Sequence, residues 1–454
     1  MTRGTDLVDK DALIASLLER NSVLVGLVEQ LTARIAELEA KSGKPPKTPK
    51  NSSIPPSKGQ KPSGSETAKK EKKNPHAGAN RPLHPNPTRK RDVMAQVCNG
   101  CGADVSGVAQ TACEVYDRIE IPEIVPDVTR VSLHGGVCPC CSKRFKATAP
   151  DGLQPGSPFG PNLRAFVIYL RTVQGIPLER LSRLLHELLG LEISEGALVN
   201  ILAASRDAFA AQTDRIKAQL LAGTVIASDE TGLRVGKANH WLWVFHHADS
   251  AVFVAHEHRS KAVVADFLDD YRPEYWISDR LRSQEGWATR GHQPCLAHLI
   301  RDTQYAIDCG DTVLAPGFKD ILKEACGIGA RRDELTNSTL KSYESRLNRK
   351  LDRLMAHKPT HAAGRKLEGI IKKVRHQIFL FITRRELSAT NNGSERALRH
   401  TAVYRKITNG FRSSWASKHY ADIRSVVETG RRRAISAIEA IRLTLKGAPL
   451  AASP

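Results

Sequence analysis

A multidomain α+β protein is predicted by three observations: a leucine heptad near the N-terminus, two pairs of closely spaced cysteines, and β-branched runs alternating with helical stretches further on. At 454 residues the chain exceeds what a single core usually organises. The expected divisions are a coiled-coil helix over 1–42, a disordered basic linker over 43–92 and a cysteine-rich metal-binding domain over 93–150. A helical segment over 160–218 follows, then an α/β core over 220–445 with a helical insertion at about 310–385.

The heptad places Leu17, Leu24, Leu31 and Leu38 at one seam position and Ile14, Asn21, Val28 and Ile35 at the other. One Asn on such a seam sacrifices stability to fix register, so a parallel homodimer is expected. Leu18, Val25 and Leu27 broaden the apolar face and keep open the alternative of a helix packed on its own chain. From Lys41 to Arg91, Pro, Ser, Lys and Asn dominate, too polar to offset the entropy of ordering, and disorder is expected. That stretch holds 14 Lys and Arg against two Glu, more than half of the chain's net charge of +20. Such charge attracts polyanions, so nucleic acid is the expected partner, with the linker as a basic arm along phosphates. No run approaches the ~18 apolar residues needed to cross a bilayer, and the N-terminus lacks the pattern of a secretory signal. A cytoplasmic, nucleoid-associated protein without membrane contact is expected.

In a reducing compartment, crowded cysteines point to metal rather than disulfides. Cys98-Asn-Gly-Cys101 and Cys138-Pro-Cys140-Cys141 each offer two thiolates on a tight turn, and two such knuckles complete the tetrahedral shell of structural Zn²⁺. The expected ligands are Cys98, Cys101, Cys138 and Cys141; Cys140 is an alternative, and Cys113 reads as a small buried hydrophobe. Alternation around Val115 to Ile121 and Val128 to Leu133 suggests strands between the knuckles. Leu178 to Leu189 and Ser194 to Ser205 read as two helices joined through Gly190, a possible helix-turn-helix or plain scaffolding.

Thr224 to Asp229 is a short apolar run ending in an acid; Trp241 to His246 and Val252 to His256 are further strands, Lys261 to Asp270 a helix, and Tyr275 to Asp279 another strand ending in an acid. Gln293 to Leu296 starts a fifth strand or a helix. Three strands, a helix and a strand returning beside the first describe the opening of a ribonuclease H-like sheet, in which Asp229 and Asp279 face one another. The third acid of such a site comes from a later helix, and Asn391 to Arg399 offers a polar helix start with Glu395 in its early turns. Three carboxylates suit two Mg²⁺ (or Mn²⁺) ions, which activate a nucleophile and relieve charge on the leaving oxygen in phosphodiester cleavage. Glu230 follows Asp229 but points to the opposite face of its strand. Asp266, Asp269 and Asp270 fall on the helical stretch and read as solvated, and Cys295-x-x-His298 is half a metal site without a second half. Arg396, Arg399, Arg405, Lys406 and Arg412 lie close enough to Glu395 in sequence to meet phosphates.

Over nearly its full length the chain resembles the insertion sequence 66 family of bacterial transposases. KPPKTPKNSSIPPSKGQKP is similar to that family's N-terminal signature, SDET at Ser228 to Thr231 to its first-acid motif, and WISD at Trp276 to Asp279 to its second. CLAHLIRD at Cys295 to Asp302 resembles the segment that follows, and NNGSERALR the third-acid region; Arg280-Leu281 and Thr390 depart from the usual Gly-Tyr and acid. The resemblance implies a DDE transposase cutting and joining the terminal inverted repeats of its own element and target DNA, with two small accessory proteins encoded alongside. A ribonuclease H-like nuclease that does not join, or a zinc-containing DNA-binding protein, are the alternatives.

Overall fold

The computed structural model describes residues 10–41, 45–52 and 81–451. Helix α1 spans Lys10–Lys41. Its seam residues Ile14, Leu17, Leu24, Val28, Leu31 and Ile35 are 53–60% exposed, so none of the described residues covers its apolar face. The side chain of Leu38, the last seam leucine, lies outside the described residues, as does most of the linker, 53–80.

The cysteine-rich region carries one short hairpin, β1 (Gly135–Val137) against antiparallel β2 (Arg144–Lys146). The alternating segments Val115 to Ile121 and Val128 to Leu133 do not form strands. Val115, Tyr116, Ile121 and Val128 are at least 64% exposed. Alternation stabilises a ladder only where one face is covered, and nothing among the described residues covers this one. Cys113, expected to be buried, is exposed for the same reason.

Four helices precede the sheet: α2 (Pro161–Ile168), which widens into a π-helical turn at Tyr169–Val173, then α3 (Leu178–Leu189), α4 (Glu195–Ala204) and α5 (Arg206–Leu221). Gly190 ends α3 in the left-handed conformation (φ 63°), and the Ser194 hydroxyl caps α4 by accepting from the Ala197 amide. Strands β3 (Val225–Val235), β4 (Ala238–His247) and β5 (Ser250–His256) form an antiparallel meander. Helix α6 (Lys261–Leu268) crosses over to β6 (Tyr275–Ser278), parallel to β3, and β7 (Gly291–Pro294) lies parallel beside β6. The sheet order is therefore β5-β4-β3-β6-β7. Contrary to the expected strand end, β3 runs past Asp229 to Val235, because β4 pairs with it from Ala227 to Val235.

Helices α7 (Leu296–Asp308), α8 (Leu314–Ala330), α9 (Asn337–Met355), α10 (Ala362–Val374) and α11 (Leu380–Thr383) follow, then α12 (Asn392–Thr408), α13 (Ser414–Arg432) and α14 (Ala437–Leu445). Successive strand residues face opposite sides. Ile226 and Trp276 point into a core built with α2, α5, α6, α13 and α14. Val225, Ala227, Tyr275 and Ile277 point the other way, into a core with α7 to α11. On that second side, Leu233, Leu242 and Val244 meet α12. The seam between these two helical groups opens over β3 and β6. No helix of the described residues is long and apolar enough to cross a membrane.

Candidate active site

The register between β3 and β6 pairs Ala227 with Ile277. Two residues beyond that pair stand Asp229, still within β3, and Asp279, the first residue after β6, whose charge is close enough to act on Asp229. The Asp279 carboxylate accepts from the Leu281 amide (3.0 Å), a turn that closes the chain just after β6 ends. Asp229 accepts from the Glu230 amide (2.9 Å). Burial, then the neighbouring Glu230 and Asp279 charges and more weakly Glu395, push the Asp229 carboxyl well above its usual range. Glu230 itself turns to the other face, where it is buried and bonded by Arg259 (Nε, 2.8 Å) and Gln284 (2.6 Å).

Glu395 comes from the first turn of α12, which packs against β3 and β4. Asn391, almost fully buried, sets where that helix begins. Its Nδ2 donates to the Ser228 carbonyl (2.8 Å), its backbone amide to Cys295 Sγ (3.1 Å), and its Oδ1 accepts from Ser394 (2.6 Å). One side chain thereby ties the residue before Asp229 to the start of α12, while its amide reaches the residue before α7. Gly393 lets this helix start approach closely, since a Cβ there would stand 3.1 Å from the His246 ring.

Helix α7 brings residues that the sequence reading set aside. His298 is lowered by burial and by Arg301, against the opposing pull of Asp279, Glu395 and Asp302, and its Nδ1 is buried without a hydrogen-bond partner among the described residues. Arg301 lies 3.5 Å from Glu395, and Arg280 is paired with Asp302. The Cys295 thiol accepts from the Asn391 amide. The available signal was helical: 298, 301 and 302 share one face of a helix that directly follows the strand beside β6. Beside the acids lies a cleft of about 370 Å³, lined among others by Ala227, Ile277, Asn391, Gly393, Arg396 and Arg432. Arg396, Arg399, Lys406 and Arg412 are exposed, whereas Arg405 donates to the Gly232 carbonyl of β3.

Among the described residues, no three His, Cys, Asp or Glu side chains come close enough to share one ion. Asp229 and Asp279 are brought close enough for their charges to interact, but Glu395 is drawn toward the Arg301 guanidinium. The donor set nevertheless fits a hard divalent cation: oxygen ligands, of which Asp229 is already raised by burial and then by its acidic neighbours, beside an orphaned imidazole nitrogen.

The cysteine pairs share one local design. The Cys98 amide donates to the Ala103 carbonyl and the Gly102 amide to that of Cys98, both at 2.9 Å. The Cys138 amide donates to Lys143 and the Ser142 amide to Cys138, again both at 2.9 Å. Gly102 (φ 79°) and Ser142 (φ 55°) occupy the same left-handed position. Backbone amides of Gly100 and Cys101 lower the Cys98 thiol, and those of Cys141 and Cys140 lower Cys138. Cys140 thus stands where the first knuckle has Gly100, and Cys141 matches Cys101. The absence of any three-residue metal-ligating group among the described residues means that the two knuckles do not gather into one four-thiol cluster.

The family model described as "Transposase IS66 family" matches residues 156–419, a span holding both strands, α7 and the Glu395 end of α12. No curated protein matches the chain.

Proposed function

Because the chain belongs to the IS66 family of transposases, we propose that this transposase cleaves and joins DNA at the seam above β3 and β6, with Asp229, Asp279 and Glu395 as its metal-holding acids. The observation that carries the reading is the parallel pairing of β3 with β6 up to Ala227 and Ile277, just before Asp229 and Asp279, with Asp279 and Glu395 both close enough to act on the Asp229 charge. The sheet order, with the first strand between an antiparallel meander and two parallel strands, supports a ribonuclease H-like core over 220–445 with its insertion at about 310–385.

Mg²⁺ or Mn²⁺ bound by these carboxylates supplies charge neutralisation at the attacking and leaving oxygens. The chain's own residues do the rest. Asp229 is held by the Glu230 amide, with its charge already disfavoured by its neighbours, which favours taking up a cation. Glu395 would help hold the ion, and Arg301, now 3.5 Å from it, would then be available to meet a phosphate. Arg396, Arg399, Lys406 and Arg412 bind backbone phosphates of the inverted repeat or target DNA, while Arg405 serves partly to brace α12 on β3. Helix α4 has no Lys or Arg, so the charged contacts come from elsewhere. Zn²⁺ would draw the two knuckles together through Cys98, Cys101, Cys138 and Cys141, of which the backbone amides already lower the Cys98 and Cys138 thiols, and the exposed apolar face of α1 pairs with a second copy.

The test is Asp229→Asn with substrate carrying the element's own ends. Mg²⁺-dependent cleavage and joining should vanish while DNA binding persists; retained cleavage would sink the proposal. Cleavage without joining by the unaltered protein would make it a nuclease instead.

A further inference from the structure

The segment expected to be disordered contains an ordered piece. Residues 45–52 form a turn seated against α7 and α8, bordering a cleft of about 600 Å³. Asn51, 5% exposed, is its key. Its Oδ1 accepts from the Thr48 amide (2.7 Å), and its Nδ2 donates to the Pro46 carbonyl (3.1 Å) and to Asp308 Oδ2 (2.9 Å). The other oxygen of Asp308 accepts from Gln304 (2.7 Å), which in turn is bonded by Lys319 of α8. Asp308 is the last residue of α7, where a negative charge opposes the helix dipole. Local helix energetics do not favour an acid there; the contact with Asn51 gives it a purpose.

We propose that residues 45–52 are a docking clip, by which the N-terminal arm of each chain is locked in cis onto the α7–α8 face with Asn51 as key and Asp308 as lock. The consequence is geometric. Helix α1 ends at Lys41 and the clip starts at Pro45, four residue steps that span at most roughly 14 Å. A linker of some fifty residues therefore does not separate α1 from the core. The helix is pinned close to α7, whose other end faces the acids, and the rest of the linker leads only to the cysteine-rich region. If two copies pair through α1, their α7–α8 faces are held near the end of that pair. This last step rests on the pairing of α1 proposed above; the clip does not.

Lys50 and Lys319 border the same cleft, so a short amine-reactive cross-linker applied to the full-length protein should join them. The yield should fall about tenfold in both Asn51→Ala and Asp308→Ala, the effect of losing one hydrogen bond to a charged group. Asp308 is exposed, and its replacement leaves the turn within the arm intact, which separates docking from folding. No cross-link in the unaltered protein, or a yield unchanged in Asp308→Ala, overturns the clip. In a mixture of ¹⁴N- and ¹⁵N-labelled protein the joined peptides should carry one label each time; mixed labels overturn docking in cis. A cross-link of one label in a chain that sediments as a monomer upholds the clip and refutes the pairing of α1.

Discussion

Replacing Asn391 with Ala tests how the site is assembled. The substitution removes the donor to the buried Ser228 carbonyl (2.8 Å) and the acceptor of the Ser394 hydroxyl (2.6 Å). Ser394 keeps a second partner in His246 (2.9 Å), so its loss is modest, about 1 kcal/mol. The Ser228 carbonyl loses a partner where water does not reach, at about 1–3 kcal/mol. Unfolding in urea should therefore show a loss of about 2–4 kcal/mol. Because the same side chain sets where α12 begins, Glu395 should shift relative to Asp229, and a misplacement near 1 Å lowers a reaction rate by about 100-fold. The rate should be measured at a urea-free temperature where the variant is still folded, so that the two effects separate. Asn391→Asp should be worse than Ala, since it keeps the acceptor but turns a carboxylate oxygen toward the Ser228 carbonyl. A stability change below about 0.5 kcal/mol, within the range of ordinary surface substitutions, together with an unchanged rate, would refute the argument.

Arg301→Ala removes the cation that competes for Glu395, so Mn²⁺ titrated calorimetrically should bind several-fold more tightly; weaker binding would show that Arg301 does not compete for Glu395. Asp422 is raised to about 6 by burial, with Asp214 adding to the effect and the Thr213 contact opposing it. Its folded pKa lies above the unfolded value of ~3.9, so its charge destabilises the fold above about pH 6, and that penalty disappears as pH falls from about 6 to 4. Asp422→Asn should thus stabilise the protein by about 1–2 kcal/mol at pH 7.5 and by little at pH 4; an equal gain at both would contradict the burial argument. Protein purified without chelator should contain one Zn²⁺ per chain, and Cys98→Ser or Cys138→Ser should each release it while Cys140→Ser does not. Metal retained in the first two variants would exclude the paired knuckles as ligands.

Features set by neighbouring residues were legible without the structure. The bounds of α3 followed from apolar periodicity and the Gly190 joint, which adopts φ 63°, and the second expected helix begins at Ser194, which caps α4. The order of three strands, a helix and a fourth strand followed from β-branched runs and their spacing, and with it the prospect that Asp229 and Asp279 lie side by side. Alternation misled at Val115 to Leu133, where no layer covers the pattern, and β3 outran its apolar run because β4 supplied a partner. His298 and Arg301 acquired their place only when α7 was laid beside the acids. Asn391 reaches Ser228 across 163 positions, and Asn51 reaches Asp308 across 257. Caps, turns and periodicity act over a few residues and are written locally. A buried amide that closes two distant segments has no local signature, because its partners exist only once the chain has folded around them.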